Sequence, residues 1–206
     1  MAFYALIALS LAALRVIHPL TTAVQIERHV DALIHDRAYH KAYTWRRLDL
    51  ISPNLQHAVV AAEDARFYVH HGFDWKQVRI AVQDDIERGK SRGASTITQQ
   101  LARNLFLSTN RSWIRKGIEF TIVPLLELIL GKRRILELYL NVIEWGPGVY
   151  GAEAAAQHYF HVPAQKLTRD QAIALASVLP APLRRKPGRW TEYDRVIGER
   201  MSQAGW

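Results

Sequence analysis

The chain has 206 residues, of which 49% are hydrophobic, so it can bury a core in one domain and is too apolar for a disordered protein. Its formal net charge of +8 favours anionic partners such as nucleic acid, lipid headgroups or phosphorylated substrates, without choosing among them. The absence of cysteine excludes disulfides, thiolate zinc sites and a cysteine nucleophile.

The N-terminal segment is the first predicted element, because residues 2–14 are almost wholly apolar. This run is shorter than the roughly 20 residues that cross a bilayer, but it can span if Arg15 extends to the interface. We therefore predict a membrane anchor over residues 1–24, whose start can lie upstream of the given sequence, and a lead-in over 25–50. A cleaved signal peptide fits less well, because no basic residue precedes the apolar run. A buried or interfacial helix is the remaining alternative.

The distribution of positive charge bears on orientation. The basic residues near the apolar run all follow it: Arg15, Arg28, Arg37, Lys41, Arg46 and Arg47. By the positive-inside rule this pattern places the main domain in the cytoplasm. An anchor that begins upstream of the given start, with its own basic residues, would remove that indication.

Helical spacing dominates the rest of the chain, residues 51–206, which we take as one domain. Ser52-Pro53 is typical of a helix start, and the apolar stripe that follows ends at Glu63. Later helices are predicted at about 74–87, 95–107 with Ser95 as cap, 112–130 with a kink at Pro124 and an end at Gly131, 134–145, 153–160, and from a Thr168–Gln171 capping box to before Pro180. A glycine-containing basic loop is expected at 88–93. Alternation typical of strands is scarce, so the predicted fold is mainly α.

Two adjacent carboxylates, Glu63 and Asp64, form the first chemical cluster. An acid at the edge of a buried stripe tends to be desolvated, which raises its pKa and suits it to proton transfer. The plainer interpretation is a solvated helix end, and these residues alone do not decide between the two.

The second cluster lies in residues 93–104, where one helix face is apolar. The opposite face carries uncharged hydrogen-bonding groups and one cation: Thr96, Gln100 and Arg103. This combination suits a sugar or a phosphate, although an ordinary exposed face is the alternative.

A third cluster, Arg115, Lys116 and Glu119, lies within one helical turn. An intrahelical ion pair between Arg115 and Glu119 is the simple interpretation. The functional one is a cationic clamp for phosphate with a carboxylate beside it. Motifs of zinc proteases, phosphate-binding loops and serine hydrolases are absent from the sequence, and no nucleic-acid-binding module is recognisable.

These clusters, in this order, resemble the peptidoglycan glycosyltransferases of glycosyltransferase family 51. The family's first motif matches Glu63-Asp64-x-x-Phe67-x-x-His70-x-Gly72-x-Asp74, and its second matches Gly93-x-Ser95-Thr96-Ile97-Thr98-Gln99-Gln100 followed by Asn104. Arg115-Lys116-x-x-Glu119 matches the third, and Arg134-Ile135-Leu136-Glu137-x-Tyr139-Leu140-Asn141 with Gly146 and Gly151 resembles the fourth. Residues 176–182 resemble the fifth. The chain is most similar to the monofunctional biosynthetic branch, because it has no room for a transpeptidase domain.

The resemblance implies a lysozyme-like helical glycosyltransferase domain with an N-terminal membrane-anchor helix, on the periplasmic face of the inner membrane. It implies that lipid II is polymerised into β-1,4-linked glycan with release of undecaprenyl diphosphate. Glu63 would be the general base. Glu119 would assist by orienting cations or by holding a divalent metal. Substrate-binding positions carried over by resemblance are Asp64, Phe67, His70, Gly72, Ser95, Thr96, Gln99, Gln100, Arg103, Asn104, Arg115, Lys116 and Asn141.

No cofactor is required by the resemblance, with Mg²⁺ or Mn²⁺ as an optional cation. The expected partners are lipid II, the growing glycan strand, the membrane, and proteins of cell-wall synthesis and division, with no nucleic acid. Two departures stand out: Arg103 replaces the usual lysine, so a planar fork replaces a point charge, and the anchor is shorter than usual. A lytic, glycan-cleaving enzyme of the same fold is the enzymatic alternative, although cleavage does not need a cationic set for pyrophosphate. A basic membrane-bound scaffold is the non-enzymatic one.

Overall fold

The computed structural model describes residues 2–89, 93–110 and 112–206, and these are mainly helical. The helices are α1 (Ala2–Leu14), α2 (Ala23–Ile34), α3 (Pro53–Glu63), α4 (Trp75–Arg88), α5 (Ile97–Phe106), α6 (Trp113–Val142), α7 (Ala152–Phe160), α8 (Arg169–Ala176) and α9 (Glu192–Gln203). Short 3-10 helices cover Leu48–Leu50 and Ala164–Lys166. The prediction of a mainly α fold is confirmed.

A small sheet of three short strands completes the architecture. Its strands are β1 (Ala42–Tyr43), β2 (Glu144–Gly146) and β3 (Val149–Tyr150), in the order β1-β3-β2. The β1 and β3 strands are parallel, and β2 returns antiparallel beside β3. The sheet therefore ties the segment before α3 to the chain that leaves α6.

The core lies where α5 packs along α6 and where α3 packs against α8 and α9. Apolar residues at helical spacing fill it, as on α3, where Leu55, Ala58 and Val59 are fully buried. On α5, Ile97 and Leu101 are equally buried. The same stripes that drive packing therefore turn the polar faces of α3 and α5 toward a common surface.

The N-terminal helix α1 packs against α6. Its residues Ile7 and Leu11 are buried, and the Tyr4 hydroxyl lies 2.9 Å from Thr121 Oγ1, whereas Leu6 and Leu9 are mostly exposed. In the part of the chain that the structure describes, no helix combines the length and apolar character needed to cross a bilayer.

Two helix predictions need correction, whereas the helix end predicted at Gly131 coincides with the kink in α6. The expected kink at Pro124 is absent, because the only non-helical angles within α6 are those of Gly131 (φ 71°, ψ 162°). Thr96, rather than Ser95, caps α5, because the Thr96 side chain accepts from Gln99 N while Gln99 Oε1 accepts from Thr96 N. Proline leaves the α6 backbone regular here, whereas glycine alone can adopt angles at positive φ without strain.

The remaining secondary-structure predictions were confirmed in part. The Thr168–Gln171 capping box is confirmed at the start of α8. The last helical segment before the sheet ends at Val142 rather than at 145, because β2 begins at Glu144. The α2 and α9 helices were not predicted. Of the expected loop over 88–93, residues 90–92 lie outside the described residues, and α4 extends through Arg88.

The backbone angles at the kink predict that replacing Gly131 destabilises the fold. Gly131→Ala should lower the free energy of unfolding by about 1–3 kcal/mol, because its angles lie in a region that only glycine occupies readily. Gly117→Ala is the matched control in the same helix, where the added methyl meets open space and should stabilise by up to about 1 kcal/mol. Urea unfolding of both variants checks this, and equal effects would contradict it.

Candidate active site

Glu63 is the last residue of α3, where a buried helix face reaches the surface. Its side chain is partly exposed, whereas Val60 and Ala61 just before it are buried. Burial raises the pKa of the Glu63 carboxyl, and the hydrogen bond from Gln100 and the charge of Arg103 act to lower it. This carboxylate is thus partly removed from water, which favours the desolvated interpretation of Glu63 over a solvated helix end.

A hydrogen-bonded row holds the Glu63 carboxylate. Gln100 Nε2 donates to Glu63 Oε2 at 2.7 Å, and the Tyr139 hydroxyl donates to Gln100 Oε1 at 2.8 Å. Gln100 projects from α5 and Tyr139 from the second half of α6. Three helices therefore converge on one carboxylate, and Tyr139 is a contributor that the sequence reasoning did not select.

Asp64 caps the end of α3 and is almost fully buried. Its carboxylate pairs with His70 Nε2 at 2.8 Å and accepts from Ile97 N, the first amide of α5, at 3.0 Å. Asp64 is therefore bonded within the protein, and it fixes the start of α5 against the end of α3.

A second buried carboxylate, Asp74, caps α4 through the amides of Lys76 and Gln77 and pairs with Arg66 at 3.1 Å. Asp64, His70 and Asp74 can bring one ligand atom each within 4.8 Å of one another. Within this group of three side chains, His70 Nδ1 and Asp74 Oδ2 have no hydrogen-bond partner among the described residues, and a guanidinium already lies on Asp74. Two remaining donors are fewer than the three or four protein ligands of a zinc site, and the other oxygens of the group are already bonded within buried pairs.

Several first- and second-motif residues hold the backbone around these pairs. Thr96 Oγ1 donates to Gly72 O at 2.6 Å. Gly72 has φ +90°, and a Cβ there would lie 2.4 Å from Val123 Cγ1, so only glycine fits. Phe67 is buried, with the Lys132 ammonium 4.5 Å from its ring centroid. These side chains support the site from within.

The cationic cluster forms as predicted on the first turns of α6. Arg115 Nη1 pairs with Glu119 Oε2 at 2.6 Å, and Lys116 Nζ pairs with Glu119 Oε1, so the intrahelical ion pair is confirmed. Lys116 Nζ also donates to Ser95 Oγ at 3.3 Å. Ser95 in turn lies beside Gln100, whose Nε2 is 3.5 Å from Ser95 O. The cations of α6 are thereby joined to the row that holds Glu63.

A divalent cation does not fit Glu119. Its side chain is buried, and each of its oxygens already pairs with a cation, Arg115 or Lys116. A metal there would have to displace an ammonium or a guanidinium from a carboxylate that is already neutralised. Both oxygens of Glu119 are therefore bonded to cations, and its role in the reaction stays a prediction.

Two further cations act on the Glu63 carboxylate. Arg103, on α5, and Arg185, beyond α8, both lower its pKa through their charge. The Arg103 guanidinium has no hydrogen bond or ion pair within residues 2–89, 93–110 and 112–206. Arg185 was missed, although the run Arg184-Arg185-Lys186 directly after the fifth motif was a signal of charge.

Of two further predicted binding residues, Asn141 lies away from the Glu63 row and Asn104 lies beside it. Asn141 is fully buried and exchanges hydrogen bonds with the backbone of Arg46, at 2.8 Å in each direction. Asn104 donates to Gln100 O one turn earlier in α5. Asn141 thus joins the segment before α3 to α6, and Asn104 stays close to the Glu63 row.

Comparison with known proteins agrees with this geometry. The sequence profile of a family described as transglycosylase matches residues 30–202. The chain belongs to the transglycosylase family. A biosynthetic peptidoglycan transglycosylase of Chromohalobacter salexigens is 44% identical over 195 residues, which is 93% of this chain and 83% of the relative. Relatives with the same name in Pseudomonas aeruginosa and Escherichia coli are 42% and 48% identical, over 95% and 84% of this chain and 84% and 73% of their own lengths.

Membership in the transglycosylase family confirms the resemblance on which the site residues were selected. The matched span of residues 30–202 begins within α2 and includes the convergence of α3, α5 and α6 on Glu63. The structure adds which motif residues meet at the surface and which are bonded inside. Glu63, Gln100, Ser95, Arg103 and Lys116 form the surface group.

The buried Asp64–His70 pair allows a stability test. Asp64→Asn should lower the free energy of unfolding by about 2–3 kcal/mol, because the buried imidazole of His70 and the first amide of α5 both lose their carboxylate partner. Asp49→Asn removes a carboxylate from an exposed pair with Arg47 and should cost under about 1 kcal/mol. Chemical unfolding separates the two, and an equal loss would show that Asp64 does not fix the helix ends.

Proposed function

We propose that this chain polymerises lipid II, with Glu63 as general base and the cations of α5 and α6 at the leaving group. Its family and the shared name of its relatives make it a peptidoglycan glycosyltransferase. A catalytic domain of this family works on lipid II and glycan strands and faces the periplasm. The observation that carries the proposal is the position of the Glu63 carboxylate beside two cations, Arg103, which is unpaired among the described residues, and the partly exposed Lys116.

The reaction follows from the two halves of the surface group. Glu63 removes the proton from the 4-hydroxyl of the acceptor's GlcNAc as that oxygen bonds to the anomeric carbon of the donor's MurNAc. The bond from that carbon to the α-linked pyrophosphate breaks, and undecaprenyl diphosphate leaves with the electron pair. One displacement inverts the centre and gives a β-1,4 link. The raised pKa of Glu63 strengthens it as an acceptor of this proton.

The leaving group gains negative charge as its bond breaks, so fixed cations stabilise the transition state. Arg103 and Lys116 are the best placed for this role, because Arg103 is unpaired in the described structure and Lys116 is 38% exposed. Arg115 is only 14% exposed, and its Nε donates to Asn110 O. We assign Arg115 to holding Glu119, and thereby Lys116, in position.

The membrane is the surface on which such a lipid-linked substrate is met. A single-pass anchor in the inner membrane, formed by residues 1–24 with any upstream segment, stays a proposal. The apolar side chains that α1 exposes, such as Leu6 and Leu9, support it. Partners among proteins of cell-wall synthesis and division stay a prediction.

The general base is tested by Glu63→Gln, which keeps the shape of the side chain and removes its basicity. Polymerisation of purified lipid II should fall by about 10²–10⁴-fold with the fold intact. Glu192→Gln, an exposed carboxylate on α9, is the matched control and should behave as the unmodified chain. Full activity of Glu63→Gln would overturn the mechanism. Cleavage of finished glycan by the unmodified chain would favour the lytic alternative.

The cation site is tested by Lys116→Ala, which should lower kcat by about 10²–10³-fold, as losing one transition-state contact does. Lys166→Ala, an exposed lysine in the second 3-10 helix, is the control. Arg103→Lys should keep most activity if only charge matters, whereas Arg103→Ala should not. Normal turnover by both Lys116→Ala and Arg103→Ala would exclude a pyrophosphate clamp at these positions.

A further inference from the structure

The phenol of Tyr139 is buried in α6, and its hydroxyl donates to Gln100 Oε1 at 2.8 Å. We propose that Tyr139 is a positioning residue for proton transfer at Glu63, because it locks the Gln100 amide with its NH₂ end toward the carboxylate. The inference rests on Glu63 as the general base. Tyr139 itself is fully enclosed and does not reach a substrate.

Only one arrangement of donors and acceptors satisfies this row. An ionised carboxylate can only accept, so Gln100 must present its Nε2 to Glu63 and its Oε1 to Tyr139. Tyr139 must then donate, and it always carries a proton to donate because burial raises the pKa of its phenol well above the usual value. An amide without this partner can turn over and present Oε1 to the carboxylate.

The orientation of the Gln100 amide also determines which Glu63 oxygen is free to contact the substrate. Gln100 occupies Oε2, and no hydrogen bond reaches Oε1 from the described residues. Oε1 is therefore the oxygen left to accept the proton of the sugar hydroxyl. A turned amide would repel the carboxylate and favour its protonated form, which cannot act as a base.

Other groups also act on the pH behaviour of this row. The charged and titratable side chains that face Glu63 and Tyr139 are Asp64 at the end of α3, Arg103 on α5, Arg185 after α8, and Tyr193 on α9. Asp64 raises the pKa of Glu63, whereas Arg103 and Arg185 lower it. None of these groups is altered when Tyr139 loses its hydroxyl, so a shift in the pH profile reports on the Gln100 amide.

The test is the pH dependence of kcat for lipid II polymerisation by the full chain. A base is active only when ionised, so activity is lost as pH falls through the pKa of Glu63. Tyr139→Phe should move this acid limb upward by about one pH unit and lower kcat at the original midpoint by about fivefold. An acid limb that stays in place in a folded Tyr139→Phe variant would overturn the proposal.

Tyr150→Phe is the matched control, because Tyr150 is equally buried and its hydroxyl donates to Glu144 at 3.2 Å, in a separate network. It should lose comparable stability and keep the acid limb. On a Gln100→Leu background, Tyr139→Phe should add no further shift, since the amide that transmits its effect is gone. A further shift there would also overturn the proposal.

Two outcomes keep the inference separate from the general-base proposal. If Glu63→Gln is inactive while Tyr139→Phe has the normal profile, the base stands and the positioning role fails. If Glu63→Gln is active, the base itself fails. Should Tyr139→Phe not fold, Gln100→Leu alone must raise the acid limb, and an unchanged limb would count against Tyr139.

Discussion

The carboxylate of Asp64 is the constraint from which the rest of the site is built. It lies at the end of α3, pairs with His70 and accepts the first amide of α5, all away from water. Breaking such a buried pair leaves polar groups that water cannot solvate. Separating the end of α3 from the start of α5 therefore costs free energy. Glu63 and Gln100 project from these two helices, so their 2.7 Å contact depends on a bond that neither residue makes.

The motif residues fall into two groups, those that are buried and those that reach the surface. Motif residues such as Asp64 and Thr96 have their polar groups bonded inside the protein, where they fix the backbone. The residues left at the surface are Glu63 and the cations beside it. A preorganised carboxylate and fixed positive charges need no rearrangement when the transition state forms, and this is the main source of electrostatic catalysis.

Much of this could be predicted from the sequence, for local reasons. The stripe that ends at Glu63, the ion pairs of Glu119 and the Thr168–Gln171 cap depend on neighbours within one or two turns. The Gln100–Tyr139 contact joins residues 39 apart and has no local signature, so only the packing of α5 on α6 reveals it. The kink predicted at Pro124 was wrong, whereas the helix end predicted at Gly131 coincides with the kink that the structure shows there.

The N-terminal region also makes contacts with distant residues that its local sequence pattern does not predict. The apolar run of α1 predicted an anchor, yet the α6 surface on which α1 packs is formed by residues more than 100 positions away. Glu27 on α2 likewise accepts from Thr109, at 2.7 Å from both its amide and its hydroxyl, just before the cationic turn of α6. The segment before α3 therefore braces the site, although sequence patterns indicated only a lead-in.

The most direct measurement of the central claim is a crystal structure with an unreactive lipid II analogue bound. The account predicts a sugar 4-hydroxyl at about 2.6–3.2 Å from Glu63 Oε1, with the pyrophosphate on Arg103 and Lys116. Gln100 should still hold Oε2. A pyrophosphate bound away from both cations, with Glu63 out of reach of any sugar hydroxyl, would contradict it.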